Sequence, residues 1–404
     1  MMALCWSAAC LEPEADGDAP GAIPLGLLLS YSGSPAANSI NSERAVRLAV
    51  EHVNHAGGLG GRPVRVVVRD IQSDSARTER LYAELVSGQV AAFIGPDSPD
   101  VLTQFVQSHR RSTLFLPSVA MSARDSFFGA SNWFTFAPHT WTLACAFRRR
   151  LAADGVTRPL ILHSPDAFHS ELAYALRLTL DVPQGAIAIP SRSGLSRKEL
   201  LGLVGRDPDA LLIMAFPESA VPVVSDLSFL VKPGTRWYLS PTLATPRFFE
   251  VVPVPALVGA HLAKPGRMAD GAAFEARFRQ RWADEPLDEA YGFYDAAAIA
   301  ALALQEALVK TGALPSADTL GSFVRSVAGP PGVPIAWDAL DRGLALIRAG
   351  EDIDYQGVSG QLDFDGLGNP DRTLVQWWRL DRNGGTDEGP PLVTDAAWGI
   401  CRGP

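Results

Sequence analysis

From Ile23 onward, short apolar runs alternate with longer segments in which apolar residues recur every three or four positions. The runs "IPLGLLLS", "PVRVVVRD", "VAAFIG", "STLFLPS", "RPLILHS", "GAIAIPS", "DALLIMAF" and "TRWYLSP" read as strands, rich in branched and aromatic residues. Each is followed by a helical stretch, among them "INSERAVRLAVEHVNHA", "SARTERLYAELVSG", "PDVLTQFVQSHRR" and "AFHSELAYALRLTL". Strands alternating with helices of this length predict right-handed βαβ units and a mostly parallel sheet covered on both faces. So many units exceed one open sheet, and two doubly wound α/β lobes accommodate them.

A helical region follows from about Gly271 to Lys310, interrupted near Pro286, and a shorter helix is expected at 316–326. Two further strands are predicted in "VSGQLDFD" and "TLVQWWRLD". Between them "DFDGLGNPD" lacks the spacing and closing glutamate of a calcium loop and reads as a hairpin turn. Residues 386–404 read as a Pro/Gly-rich tail with Trp398 as anchor. The glycines of "HVNHAGGLGGRPVRVVVRD" follow a helix and precede a strand, the reverse of a dinucleotide fingerprint, so Gly57 and Gly58 are expected to end a helix.

The chain has 404 residues, 47% hydrophobic, enough for two packed cores. Its 35 basic against 44 acidic residues give a net charge of −9 without a basic block, which argues against a nucleic-acid partner. Cys5, Cys10, Cys145 and Cys401 form no CxxC and no zinc spacing, and no cofactor motif is present. Cys145 reads as a small buried thiol, and whether it pairs with Cys401 is left open by the sequence. Ser7, Ala8 and Ala9 before Cys10 are similar to the end of a bacterial lipoprotein signal. A basic segment and an apolar core do not fit in nine residues, so this reading places the true start upstream, the other reading being a chance match. The acidic "LEPEADGDAPGA" then serves as a linker, and contact with a membrane is expected only through a lipid on Cys10. No other run is counted as approaching the roughly 18 apolar residues of a membrane span.

Two loops carry helix-start signals. Ser98 is placed as an N-cap with Pro99 at the first helical position, and Ser122 stands three residues before Asp125 as in a capping box. Converging helix N-termini make an anion site, although capping alone also accounts for both serines.

Taken in order, "LLLSYSGSPAANSINSERAVRLAVEHVNHAGGLGGRPVRVVVRD", "FIGPDS", "LFLPSVAMSARDSFF", "LILHSPDAFHSELAYALR", "GFYDAAAIAALALQEAL" and "GVSGQLDFDGLGNP" resemble the type I periplasmic solute-binding proteins. The similarity is to the leucine/isoleucine/valine-binding and amide-sensing branch and covers about 23–385. It implies two Rossmann-like lobes joined by three crossings, with the ligand in the cleft between them. Lobe 1 would take 23–139 and 261–354, lobe 2 would take 140–260 and 355–385, after a signal remnant and linker at 1–22. By the same resemblance Ser98, Ser122 and the backbone of Ala120 and Met121 hold the ligand's carboxylate. Phe168 and Phe216 stand where relatives place tyrosines, and Asn38 matches a position at the cleft mouth. Thr242 replaces the acidic residue that pairs with the ammonium group in amino-acid receptors. Binding is therefore expected to depend little on that group unless Asp97, Asp100 or Glu218 substitutes.

The implied function is capture of a small polar ligand, carboxylate- or amide-bearing, for the permease of an ABC importer, in a periplasmic or extracellular location. The alternative is a sensor of the same fold signalling to a protein partner. No G-x-S-x-G, P-loop or H-E-x-x-H occurs, and neighbours His163 and Ser164 point to opposite faces of a strand, so no enzyme is expected.

Overall fold

In the computed structural model, the described residues are 20–32, 36–109, 132–136, 139–180, 182, 185–190, 194–252, 254–266, 271–315, 317–366, 368–370, 372–381, 386–389, 392–397 and 400–402. The first part runs β1 (Ile23–Leu29), α1 (Ala36–His55), β2 (Val64–Asp70), α2 (Ser75–Ser87), β3 (Ala92–Ile94) and α3 (Pro99–His109). Its strands form a parallel sheet in the order β2-β1-β3, with Ile23 opposite Val64 and Leu25 opposite Ala92. Side chains of β1 alternate between two cores: Leu25, Leu27 and Leu29 pack with α1, whereas Leu28 packs with Tyr82, Leu85 and Phe105 of α2 and α3. The sheet is thus covered on both faces, which is why its strands read as continuous apolar runs.

The second part runs α4 (Thr140–Ala153), β4 (Pro159–His163), α5 (Ala167–Thr179), β5 (Ala186–Ala188), α6 (Arg197–Val204), β6 (Ala210–Met214), α7 (Pro217–Ser228), β7 (Arg236–Leu239), α8 (Pro246–Val251), α9 (Val254–Leu257) and β8 (His261–Pro265). Strand β6 shows the same division. Leu211 and Ile213 face α6, α7 and α8, while Leu212 and Met214 face α4 and α5.

The chain then forms α10 (Gly271–Trp282), α11 (Asp288–Thr311), α12 (Ala317–Ala328), β9 (Val333–Ala336), α13 (Leu340–Arg348) and β10 (Ile353–Gln356). These belong with the first sheet, since α11, α12 and α13 share a core with α1 and β1, and β9 pairs with β10 in a small parallel sheet. The break at Pro286 falls between α10 and α11, as the sequence predicts. Helix α11 is long and apolar enough to cross a membrane, contrary to the count of apolar runs above. Its Ala-rich surface is buried from Ala290 to Ala307, so its composition reflects a central core helix.

Strands β11 (Arg372–Arg379), β12 (Thr386–Asp387), β13 (Leu392–Ala397) and β14 (Ile400–Arg402) complete the second sheet, ordered β14-β13-β11-β8-β7-β6-β4-β5 with β12 also on β11. Strands β4 to β8 are parallel, and β11, β13 and β14 are antiparallel additions.

Three sequence expectations change. Strand β8 pairs with β7 and β11, so the return to the first sheet follows Pro265 instead of falling at 261. The expected strand "VSGQLDFD" forms only isolated bridges, Gln356 with Gln361 and Phe364 with Pro370, because its backbone follows the turn between the two parts. The expected tail is part of the second sheet: β13 pairs with β11, and a Cys145–Cys401 disulfide ties α4 to β14. Trp398 and Asp371 lie outside the described residues. At "GLGNP" the Asp365 N–H donates to the Asn369 carbonyl at 2.8 Å, closing the hairpin turn.

At the end of α1, Gly58 N–H donates to Val53 O at 3.0 Å, and Gly57 and Gly58 both have positive φ. A Cβ on Gly58 would lie 2.1 Å from Arg62 O. The paired glycines therefore cap the helix and let the chain double back into β2.

Candidate functional site

Between the two sheets lies a cavity of about 120 Å³ whose wall includes Phe136, Phe168, Thr242, Glu289, Tyr291 and Arg372. Elements of both parts build it. Helix α11 contributes its first turn, α5 contributes Phe168, and the turn after β7 contributes Thr242.

The α11 start is fixed from α1. Asn41 accepts a hydrogen bond from Leu287 N–H at 2.7 Å and donates to Glu285 O at 2.9 Å. One turn earlier on the same face of α1, Asn38 makes a side-chain hydrogen bond to Glu289. Burial, together with the nearby Asp97 charge, pushes the Glu289 carboxyl up to about 7 against the Asn38 bond. Asp97 is itself buried. Its Oδ2 accepts from Ser30 N–H at 3.0 Å and lies 2.5 Å from the Ser39 hydroxyl, and burial pushes this carboxyl up too.

On the opposite wall, Asp166 caps α5 by accepting from His169 N–H at 3.0 Å. The His169 ring is fully buried, with Nδ1 2.8 Å from Asp166 Oδ2 and Nε2 2.8 Å from Thr242 Oγ1. The Ser164 hydroxyl donates to Asp166 Oδ2 at 2.5 Å, and the Thr242 hydroxyl donates to Ala215 O at 2.8 Å. Burial opposes the Asp166 charge, but the His169 bonds outweigh it and hold this carboxyl below its ordinary value. An Asp–His–Thr series results. Its hydroxyl is directed at a backbone carbonyl, which makes it a fixed polar wall.

The site residues expected from the sequence fall in several places. Phe168 and Thr242 both line the cavity. Phe216 stands behind them, its ring edge-on to His169 at 4.7 Å, and is outside the cavity wall. Asn38 reaches the wall through Glu289. Ser98 is half-buried at the start of α3, where its carbonyl accepts from Leu102 N–H at 2.8 Å, and it does not line this cavity. Ala120, Met121, Ser122 and Cys10 lie outside the described residues, as does Asp125. Glu218 is exposed, and of Asp100 only the helical backbone is described. His169 and Glu289 escaped the sequence reading. A signal for His169 was present, since Asp166 and His169 stand at the N-cap and N3 positions of a helix. Among the described residues no group of three or more His, Cys, Asp or Glu is placed to hold a metal.

The joint between the two parts has its own anchor. Asp295, fully buried in α11, accepts hydrogen bonds from Tyr355 Oη (2.7 Å), Val358 N–H (3.0 Å), Ser359 N–H (2.8 Å) and Ser359 Oγ (2.5 Å). Ser359 also lines the cavity. Beside it, Thr135 N–H donates to Gly368 O at 2.9 Å, joining the first and third crossings.

A family model described as periplasmic binding protein matches residues 22–366. The chemotactic signal transduction system substrate-binding protein BasB of Halobacterium salinarum is 27% identical over 357 residues, 83% of this chain and 81% of that protein. Among solved structures, the branched-chain amino acid transporter substrate binding protein LivJ from Streptococcus pneumoniae, in complex with isoleucine, aligns with a TM-score of 0.69. Its identity is 15%, covering 92% of this chain and 99% of that one. A solute binding protein of an ABC transporter from R. palustris, in complex with benzoate, aligns with a TM-score of 0.63 at 17% identity, covering 92% and 98%.

Proposed function

We propose, from the premise that this chain belongs to the periplasmic binding protein family, that it captures a small carboxylate- or amide-bearing solute between its two lobes and delivers it to the permease of an ABC importer. The chain is a solute-binding protein of extracytoplasmic location, and not an enzyme. The observation that carries the ligand reading is the cavity itself, which takes its wall from both parts of the chain beside the crossings that join them. A solute held there touches both lobes at once, so binding favours the closed arrangement. Apolar rings at Phe136, Phe168 and Tyr291 suit a ligand with a hydrocarbon or aromatic body, while Thr242, Glu289 and Arg372 supply polar contacts. The disulfide agrees with an oxidising compartment.

We take 23–136 with 271–356 as lobe 1, and 140–265 with 372–402 as lobe 2. Ser98 and the backbone at Ala120, Met121 and Ser122 are proposed to meet the ligand's acidic group, and Cys10 to carry a lipid.

A thermal-shift screen with leucine, isoleucine, leucinamide and benzoate tests the ligand class, since a ligand at 100 times its Kd stabilises by about 2.7 kcal/mol. A flat response to all four overturns it. The sensor reading is favoured by one observation, the match to a substrate-binding protein of a chemotactic signalling system. Deletion of the gene separates the two: loss of solute uptake supports import, whereas loss of taxis with uptake intact supports sensing.

A further inference from the structure

The end of β8 and the start of α11 meet beside the cavity, and they belong to different lobes. Leu262 and Ala263 of β8 pack in the cores on the two faces of the second sheet, whereas α11 is buried in the core it shares with the first sheet. Across this boundary Lys264 Nζ lies 3.3 Å from Asp288 Oδ2, with the two side chains 19% and 20% exposed. By contrast, Arg44–Asp284 and Arg281–Glu51 stay on the lobe 1 side, and Arg150–Glu388 stays on the lobe 2 side.

Each partner of the crossing pair is held by its own lobe. The Lys264 ammonium stands over the Trp378 ring, 4.8 Å from its centroid, and β8 and β11 are neighbouring strands in which Leu262 is opposite Trp378 and Lys264 is opposite Gln376. Two residues on, Gly266 N–H donates to Leu374 O at 2.7 Å, and a Cβ on Gly266 would lie 2.5 Å from Leu374 Cβ, so β8 stays seated on β11 up to the second crossing. Asp288 follows Leu287, whose N–H is held by Asn41 of α1, and it stands in the first turn of α11, where an acid is favoured. An aromatic face thus prepares the cation on one lobe and a helix start prepares the anion on the other, so little side-chain freedom is lost when they meet. Pro265, Gly266 and Asp288 also line the cavity, which puts the pair at the edge of the space a solute would fill.

We propose that Lys264 and Asp288 form an electrostatic latch between the lobes, a pair that makes contact as the lobes close and parts as they open, so that closure is favoured by charge as well as by the solute. The proposal rests on reading the chain as a two-lobed receptor that closes on its solute, but its test uses no solute, so a flat solute screen and a failed latch are separate results. At the strength of a well-placed, partly exposed ion pair, the latch should raise the ratio of closed to open molecules about two- to fivefold.

The experiment is X-ray scattering from the full chain without solute, at about 0.01 M salt, where charges act over about 30 Å, and at about 1 M, where they act over about 3 Å. The wild type should have the larger radius of gyration at high salt. Lys264→Met, which keeps an apolar stem over Trp378, and Asp288→Asn should each show the larger radius already at low salt and lose the salt response, and the double variant should match the singles. A wild-type radius indifferent to salt, or variants that keep the wild-type radius and its salt response, overturns the latch. Urea unfolding of the same proteins identifies a pair that merely supports the fold: the midpoint falls in each variant while the radius stays at the wild-type value, and that result overturns the latch too. Should one variant not fold, the other variant and the salt response of the wild type decide.

Discussion

Replacing Asp295 by asparagine should change how stability depends on pH, in a direction fixed by burial. Asp295 sits on the α11 face toward the third crossing and gathers four donors from Tyr355, Val358 and Ser359. Burial dominates those bonds and raises its carboxyl from 3.8 to about 6. A folded-state value above the unfolded one means that the contribution is fully present below about pH 4 and is lost as pH rises through about 6. At about 1.4 kcal/mol per pH unit, the rise corresponds to roughly 3 kcal/mol between the two ends of that window. The amide of the variant does not titrate. The assay is urea unfolding of wild type and Asp295→Asn at intervals from pH 4 to pH 7, taking the difference between the two at each pH so that other groups cancel. The wild type should lose roughly 2 to 3 kcal/mol relative to the variant across the window. Parallel curves would refute the reasoning, because Asp295 would then be ionised at no cost and the four donors, not burial, would set its behaviour. Asp295→Ala provides the complementary measurement. It strands the buried Val358 N–H and the half-buried Ser359 N–H and should cost about 3 kcal/mol or more at any pH.

Three further perturbations probe the frame. Cys401→Ser opens a closure spanning 256 residues and should cost about 2–5 kcal/mol in urea unfolding, with reductant having the same effect on the wild type; unchanged stability in both would count against the bond. Thr242→Val removes partners from His169 Nε2 and Ala215 O and should cost about 1–3 kcal/mol, read as a lowered melting temperature that Thr242→Ser largely restores. Gly368→Ala forces a Cβ to within 1.7 Å of Trp133 O at a φ of +84° and should cost more than about 1 kcal/mol; a melting temperature equal to wild type would show that the two crossings are not held together there.

The two-lobed α/β architecture was legible because parallel strands covered on both faces have to be apolar throughout, as in β1 and β6, and because glycines such as Gly57 and Gly58 mark where a helix ends. The family resemblance rested on the order of several short motifs and agrees with the family match over 22–366. Sheet membership was less legible. Nothing local in "HLAKP" says that β8 lies between β7 and β11, and the short strands β12 to β14 sit in a Pro/Gly-rich stretch that suppresses any periodic signal. At the cavity, Phe168 was singled out while the adjacent His169 was passed over. Its Asp166 cap was visible, but its contact with Thr242 joins residues 73 positions apart. Glu289 was passed over too, since an acidic residue in the first turn of a helix carries no signal beyond the helix start. Only the packing of α1 against α11 shows that Asn38 and Asp97 converge on it.

The joint and the cavity share a residue, and this bears on how a bound solute could move the lobes. Ser359 gives its N–H and hydroxyl to Asp295 while its surface forms part of the cavity wall. Phe136, near the first crossing, and Gly266, at the second, line the same space. A ligand can shift an equilibrium only through contacts that differ between its states. Contacts made at the crossings meet that condition, because any rotation of one lobe on the other changes the backbone there before it changes anything farther out. A ligand seated against Ser359 therefore acts on the Asp295 clamp directly, with no chain of intervening side chains. Weakening that clamp should make closure less dependent on the ligand, so Asp295→Asn should narrow the difference in radius of gyration, measured by X-ray scattering, between the ligand-free protein and the protein saturated with whichever solute the thermal-shift screen identifies. An undiminished difference would place the closing contacts elsewhere on the cavity wall.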